Sequence, residues 1–196
     1  MIVLGLTGSI GMGKSTTANF FREQGVAVFD ADRCVHALYG GRALDLVNAR
    51  FPAAIRDGAI QRDLLAKQVL DDPIALADLE GIIHPLVVAE RIGFLQQEEG
   101  RGSPFAVVDV PLLFETGGSG SVDVIVVVSA SPEEQRRRVL ARPGMDEAKF
   151  LAVSRRQTPD AEKRRRCHFL IRSDRGLASA RRQVGRLIAA LHQADR

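Results

Sequence analysis

Apolar and polar positions along the chain change rhythm several times, and the changes predict alternating strands and helices. A short apolar run, Ile2–Leu6, leads into a glycine-rich loop, and a helical pattern follows over Lys14–Gln24 and stops at Gly25. A second apolar run, Val26–Phe29, breaks into Asp30-Ala31-Asp32. The valine-dense runs Phe105–Val110 and Val122–Val128 read as strands covered on both faces, which points to a parallel sheet. A last strand, His168–Ile171, and a last helix, Leu177–Leu191, complete the pattern.

Between the second and third strands lie about 75 residues of helical pattern, which is more than a plain crossover requires. The expected helices there are Arg33–Tyr39, Ala43–Phe51, Arg62–Leu70, Pro73–Gly81 and Pro85–Glu98. A second helical stretch, Pro132–Arg166, follows the fourth strand. The expected architecture is α/β: a five-stranded parallel sheet with helices on both faces, forming one domain with a core of residues 1–32, 104–131 and 167–196. Residues 33–103 are expected to form a helical substrate-binding insert, and residues 132–166 a helical lid.

Composition changes this picture little. The chain has 196 residues, 45% hydrophobic and 26% charged, as expected of an ordinary globular domain. Its two cysteines, Cys34 and Cys167, form no CxxC pair, so the sequence suggests neither a disulfide framework nor a zinc site and fits a reducing, cytoplasmic setting. No apolar run approaches the roughly 18 residues of a membrane span, and the apolar start does not read as a signal peptide. The net charge of +3 hides an asymmetry: residues 1–131 carry 10 Lys+Arg against 16 Asp+Glu, and residues 132–196 carry 17 against 8. The basic part is spread over amphipathic helices, which favours a solvated face over a nucleic-acid surface for most of it.

The sharpest chemistry lies in the loop after the first strand. Gly8-Ser9-Ile10-Gly11-Met12-Gly13-Lys14-Ser15 matches GxxxxGK[ST] between a strand and a helix, the context that a phosphate-binding loop requires. Gly11, Met12 and Gly13 would turn backbone N–H groups toward a polyphosphate, and the start of the helix near Lys14 adds its dipole. Lys14 would bridge the β- and γ-phosphates of a bound nucleotide, Ser15 would ligate Mg²⁺, and Thr16 would reach the α-phosphate.

Other residues narrow the class. Asn19 and Asn48 are the chain's two asparagines and neither begins the Asn-Lys-x-Asp of a guanine reader. No water-activating Glu follows Asp109, as it would in a motor-type ATPase. A small-molecule kinase remains, with a lid that excludes water during transfer. Arg138 and Arg142 lie four apart on an expected helix Pro132–Arg142 and would share one face. The R-x-x-x-R resembles that of nucleoside monophosphate kinases, which implies Arg138 as the residue stacking on adenine and Arg142 as the one touching the transferring phosphates. The alternative for the remaining arginines there is a solvated basic helix.

The chain resembles the dephospho-coenzyme A kinase family almost end to end. The resemblance is carried by LTGSIGMGKST, by FDAD over Phe29–Asp32 with His36, and by IQRDLL over Ile60–Leu65. It continues in LEGIIHPLV over Leu79–Val87, DVPLLFE over Asp109–Glu115, SPEEQRRRVLAR over Ser131–Arg142, and Gln157. It implies ATP-dependent phosphorylation of the ribose 3′-hydroxyl of dephospho-CoA, with Mg²⁺, by a cytoplasmic monomer that engages neither nucleic acid nor membrane.

Asp30 and Asp32 could each cap the next helix; with Asp32 at the C-terminal edge of the sheet, capping is assigned to Asp30, and Asp32 is expected to accept the proton of the attacking hydroxyl. Under that resemblance His36, Arg62 and His84 contact the acceptor, although His84-Pro85 equally suits a helix entry. Leu112 and Leu113 line an apolar cleft for the acceptor, and Asp109 holds a Mg²⁺-bound water. The family pattern has an acidic residue at the start of the last strand, where this chain has His168, and an Asp or Asn soon after it, where this chain has Arg172-Ser173. Arg172 either covers an adenine face beside Arg138 or points to solvent. Two rivals stay open: a P-loop kinase for another metabolite, and a nucleic-acid-binding ATPase using the basic C-terminal third.

Overall fold

The computed structural model describes residues 1–194. Its central sheet has five strands, β1 (Ile2–Thr7), β2 (Val28–Asp30), β5 (Phe105–Asp109), β6 (Val124–Ser129) and β7 (Phe169–Arg172), in the order β2-β5-β1-β6-β7. β1 pairs in parallel with both β5 and β6, and β6 with β7. The register aligns Leu6 with Asp109 on one side and with Val126 on the other, so the C-terminal strand ends sit together.

The apolar runs are explained by cover on both faces. Leu4, Leu6, Val107, Val126 and Val128 point into a cluster with Phe20 and Phe21 of α1 (Lys14–Glu23) and Val184 and Leu187 of α9 (Leu177–Ala194). Ile125 and Val127, one step out of phase on β6, pack instead with Leu113 and Phe114, as the two-residue period of a strand demands. Helix α1 ends as its sequence signals: Gly25 has φ +80°, its N–H donates to Arg22 O, and Val26 N–H reaches back to Phe21 O.

The chain divides into two compact units, one of Met1–Phe29 and Glu98–Arg196, the other of Asp30–Gln97. The second unit holds α2 (Ala31–Tyr39), α3 (Leu44–Arg50), a hairpin of β3 (Ile55–Arg56) and β4 (Ala59–Ile60), α4 (Arg62–Val69) and most of α5 (Pro73–Gly100). Leu38, Val47, Phe51, Leu65, Leu79 and Ile83 form its own apolar centre. The hairpin was not expected from the helical pattern. It turns on Asp57 (φ +51°) and Gly58 (φ +71°), the two positive-φ positions of a tight primed turn.

Two expected helices, Pro73–Gly81 and Pro85–Glu98, are one: α5 runs straight through Pro85. Pro85 removes only the bond to the carbonyl of Gly81, and both residues are exposed, so water can serve that carbonyl while Leu79 and Ile83 hold the buried side. The segment after β6 resolves into α6 (Pro132–Leu140), α7 (Glu147–Arg155) and α8 (Asp160–Arg166), all in the first unit.

Candidate active site

The phosphate loop leaves β1 at Thr7 and enters α1 at Lys14. Its glycines are required by space as well as by rotation. Gly11 has φ +79°, and a Cβ there would lie 2.6 Å from Val139 Cγ2 and 2.9 Å from the Gln135 carbonyl. A Cβ on Gly8 would lie 2.6 Å from the Val128 carbonyl. The loop is therefore seated against both β6 and α6.

Gly13 occupies the N-cap of α1 with φ +89° and offers no side chain to cap it. The first intrahelical acceptor is Gly13 O, which receives Thr17 N–H at 3.1 Å. The N–H groups of Lys14, Ser15 and Thr16 precede that bond, and the hydroxyl-bearing Ser15 and Thr16 are exposed. Together they make an anion site with the helix dipole behind it. Met12 contributes differently from the expectation: its N–H is taken up by Ser9 O at 3.1 Å, and its buried sulfur accepts Ala130 N–H at 3.1 Å. It shapes the loop and does not present a donor.

Lys14 Nζ lies 2.5 Å from Oδ1 of Asp109, which ends β5 beside the loop. The Asp109 carboxylate is buried, so the cation is held where the strand ends converge.

Arg138 also reaches the loop. Its Nη1 donates to Ser173 Oγ at 2.9 Å and lies 3.4 Å from Gly11 O, Nη2 donates to Ser173 O at 3.0 Å, and Nε donates to Glu134 at 2.7 Å. Arg137 and Arg138 together hold the Glu134 carboxyl at about 2. Ser173 Oγ in turn donates to Met12 O at 2.6 Å. Ser173, noted in the sequence only as a departure, thus ties the loop after β7 to the phosphate loop.

Arg142 does not share a helical face with Arg138. Helix α6 ends at Leu140 with Ala141 as its C-cap, and Arg142 stands exposed beyond it, because a residue preceding Pro143 is disfavoured in α-helical geometry. Arg172 does not simply point to solvent either. It forks onto Asp174 at 2.5 and 3.2 Å, and Asp174 also accepts Ser131 N–H at the start of α6. The Arg172 hydrogen bonds hold the Asp174 carboxyl below its usual range. These residues, with Glu133, Glu134, Arg137 and Arg175, border an open depression of about 420 Å³.

Leu113 is 1% exposed and belongs to the core beneath the sheet, so it is a packing residue and not a cleft wall; its neighbour Leu112 is 40% exposed. The other expected acceptor residues, Asp32, His36, Arg62 and His84, lie in the Asp30–Gln97 unit. Asp30 caps α2, accepting Arg33 N–H at 3.0 Å, while Asp32 and His36 are exposed one turn apart on that helix. Arg62 opens α4 exposed, with its charge felt at the Tyr39 hydroxyl, which burial raises and Arg62 lowers. His84 is exposed in the middle of α5, not at a helix entry.

A dephospho-CoA kinase family model matches residues 2–179. A dephospho-CoA kinase of Mesorhizobium japonicum is 54% identical over 191 residues, covering 97% of each chain. A solved Thermus thermophilus protein superposes with a TM-score of 0.86 at 33% identity, over 96% of each chain. The dephospho-CoA kinase of Campylobacter jejuni shares the fold with a TM-score of 0.68 at 22% identity, again over 96% of each chain. With a phosphate loop seated as described and agreement over nearly the whole sequence, the chain belongs to the dephospho-CoA kinase family.

Proposed function

We propose that this chain transfers the γ-phosphoryl group of ATP to the ribose 3′-hydroxyl of dephospho-CoA, giving CoA. Family membership supports the overall reaction, and the observation that carries the chemistry is the set of N–H groups at Lys14–Thr16 opening α1 beside the Lys14–Asp109 pair. Lys14 follows the triphosphate charge, and Thr16 reaches the α-phosphate. Asp32 takes the proton of the attacking hydroxyl, with His36, Arg62, His84 and the exposed Leu112 contacting the acceptor. Arg142 stabilises charge on the moving phosphoryl group, and Arg138 flanks the adenine side. Residues 33–103 serve as the acceptor-binding insert and 132–166 as the lid.

Among the described residues no group of three or more His, Cys, Asp or Glu could hold a metal ion. That suits Mg²⁺, which is commonly bound by one or two protein oxygens plus substrate phosphates. The exposed Ser15 hydroxyl and the Asp109 carboxylate fit it as hard oxygen donors. When bound, the ion would neutralise phosphate charge.

No helix among the described residues is long and apolar enough to cross a membrane. We take the protein to be a cytoplasmic monomer. Incubation with ATP, Mg²⁺ and dephospho-CoA should add one phosphate at the 3′ position, read by mass spectrometry. Phosphorylation of another acceptor from a metabolite panel, or ATP hydrolysis stimulated by DNA or RNA, would overturn the assignment.

A further inference from the structure

The peptide units of the phosphate loop are held by side chains from elsewhere in the same unit. Ile10 is gripped at both ends: its N–H donates to Gln157 Oε1 at 3.0 Å, and its carbonyl accepts Gln135 Nε2 at 2.8 Å. Gln135 lies on α6, and Gln157 lies between α7 and α8. Two residues further on, Met12 O accepts Ser173 Oγ at 2.6 Å.

In a trans peptide the carbonyl of one residue and the N–H of the next point in opposite directions. Fixing Ile10 O on Gln135 therefore fixes Gly11 N–H facing away from α6, and fixing Met12 O on Ser173 does the same for Gly13 N–H. Those are glycine donors of the kind that line an anion-binding nest. Gln157 is itself anchored, because the adjacent Thr158 N–H donates to Glu115 at 2.7 Å, and Glu115 pairs at 2.9 Å with Lys163, which is 0% exposed.

We infer that Gln135 and Gln157 are positioning residues that aim the phosphate loop, coupling the orientation of its donors to the helical segment 132–166. This rests on the reading that the loop holds ATP. The assignment of the two amides is unambiguous, since a backbone N–H can only donate and a backbone carbonyl can only accept. Gln157 therefore acts as an acceptor and Gln135 as a donor, and glutamate substitution separates them. Glu at 157 retains an acceptor for Ile10 N–H. Glu at 135 turns a carboxylate on Ile10 O. Both add the same charge near the triphosphate.

The test is ATP affinity in the presence of Mg²⁺, measured by calorimetry on the full chain. Amide exchange at Ile10 and thermal unfolding are followed in parallel. Gln135→Met and Gln157→Met should each weaken ATP binding by about five- to tenfold. Gln135→Glu should bind ATP at least about tenfold more weakly than Gln157→Glu, and Ile10 N–H should stay protected in Gln157→Glu but not in Gln157→Met. A merely structural role would lower the unfolding temperature without this donor and acceptor pattern. Wild-type ATP affinity in both methionine variants, or equal losses in the two glutamate variants, would overturn the clamp. If Gln135→Glu does not fold, the Ile10 exchange comparison at 157 decides alone. If Lys14→Ala bound ATP as tightly as the wild type, the phosphate-loop reading would fail instead, and Ile10 exchange would still judge the clamp.

Discussion

Lys14 Nζ and Asp109 Oδ1 stand 2.5 Å apart, and the Asp109 side chain is 3% exposed. The lysine that we assign to phosphate also neutralises a buried carboxylate, so its removal has two separable consequences. Lys14→Ala should abolish turnover and also lower the unfolding temperature, because it takes a cation away from a buried carboxylate. Lys14→Met combined with Asp109→Asn should recover stability without recovering turnover. Steady-state kinetics and thermal melts of both proteins check this, and substantial turnover in either would remove Lys14 from phosphate binding.

Asp32 is exposed on the first turn of α2, whereas the cap of that helix is already supplied by Asp30. Asp32→Asn retains shape but removes the basic lone pair and the charge. Turnover should fall by roughly 10²- to 10⁴-fold with little change in ATP affinity or unfolding temperature. Near wild-type turnover would leave Asp32 as a surface residue of the helix start.

The sheet and the loop were legible because local pattern determines them: valine runs need two covered faces, and GxxxxGK[ST] needs a strand before it and a helix after it. Gly25 and Asp30 announced their caps through local chemistry, a glycine at positive φ and a carboxylate that accepts a helix N–H. What pattern could not supply was side-chain traffic between distant segments. Gln135, Gln157 and Ser173 converge on the loop across more than a hundred residues of sequence. Leu113 looked like a cleft wall because an apolar residue after a strand end can face either way. The Asp57-Gly58 turn did carry a hairpin signal, but strands of two residues are too short to show alternation. Pro85 suggested a break that an exposed carbonyl makes unnecessary.

Arg142 and Arg138 should behave differently, since Arg138 is pinned to Ser173 and Glu134 while Arg142 is exposed past the end of α6. Arg142→Lys should lower turnover far more than ATP affinity, because a compact ammonium cannot reproduce a two-pronged contact made in the transition state. Arg138→Ala should chiefly raise the Michaelis constant for ATP, and by more than Arg172→Ala does. Both constants measured at one fixed Mg²⁺ concentration decide the matter. Equal losses in turnover and affinity for Arg142→Lys would make it a binding residue only.

The pair of the partly buried Glu115 and the buried Lys163 predicts a pH signature with a definite sign. Burial alone would raise the Glu115 carboxyl, but the Lys163 ammonium and the Thr158 N–H outweigh it and hold it below the usual carboxylate range. A depressed carboxyl contributes stability that is present above its unfolded pKa of about 4.3 and is lost as pH falls through the folded value. The wild-type unfolding temperature should therefore begin to drop below about pH 4.3, in part through this group. In Lys163→Met the partly buried carboxylate loses its cation, so the variant is less stable than the wild type near neutrality. Burial then dominates and raises the carboxyl, so the sign reverses: protonation relieves the variant, and its deficit against the wild type should narrow as pH falls from 7 toward 4. Lys163→Met combined with Glu115→Gln should show neither the deficit of the single variant nor its pH dependence. Melting curves of the three proteins between pH 4 and 7 measure this directly, and a deficit for Lys163→Met that stays constant over that range would mean that Glu115 does not respond to its cation.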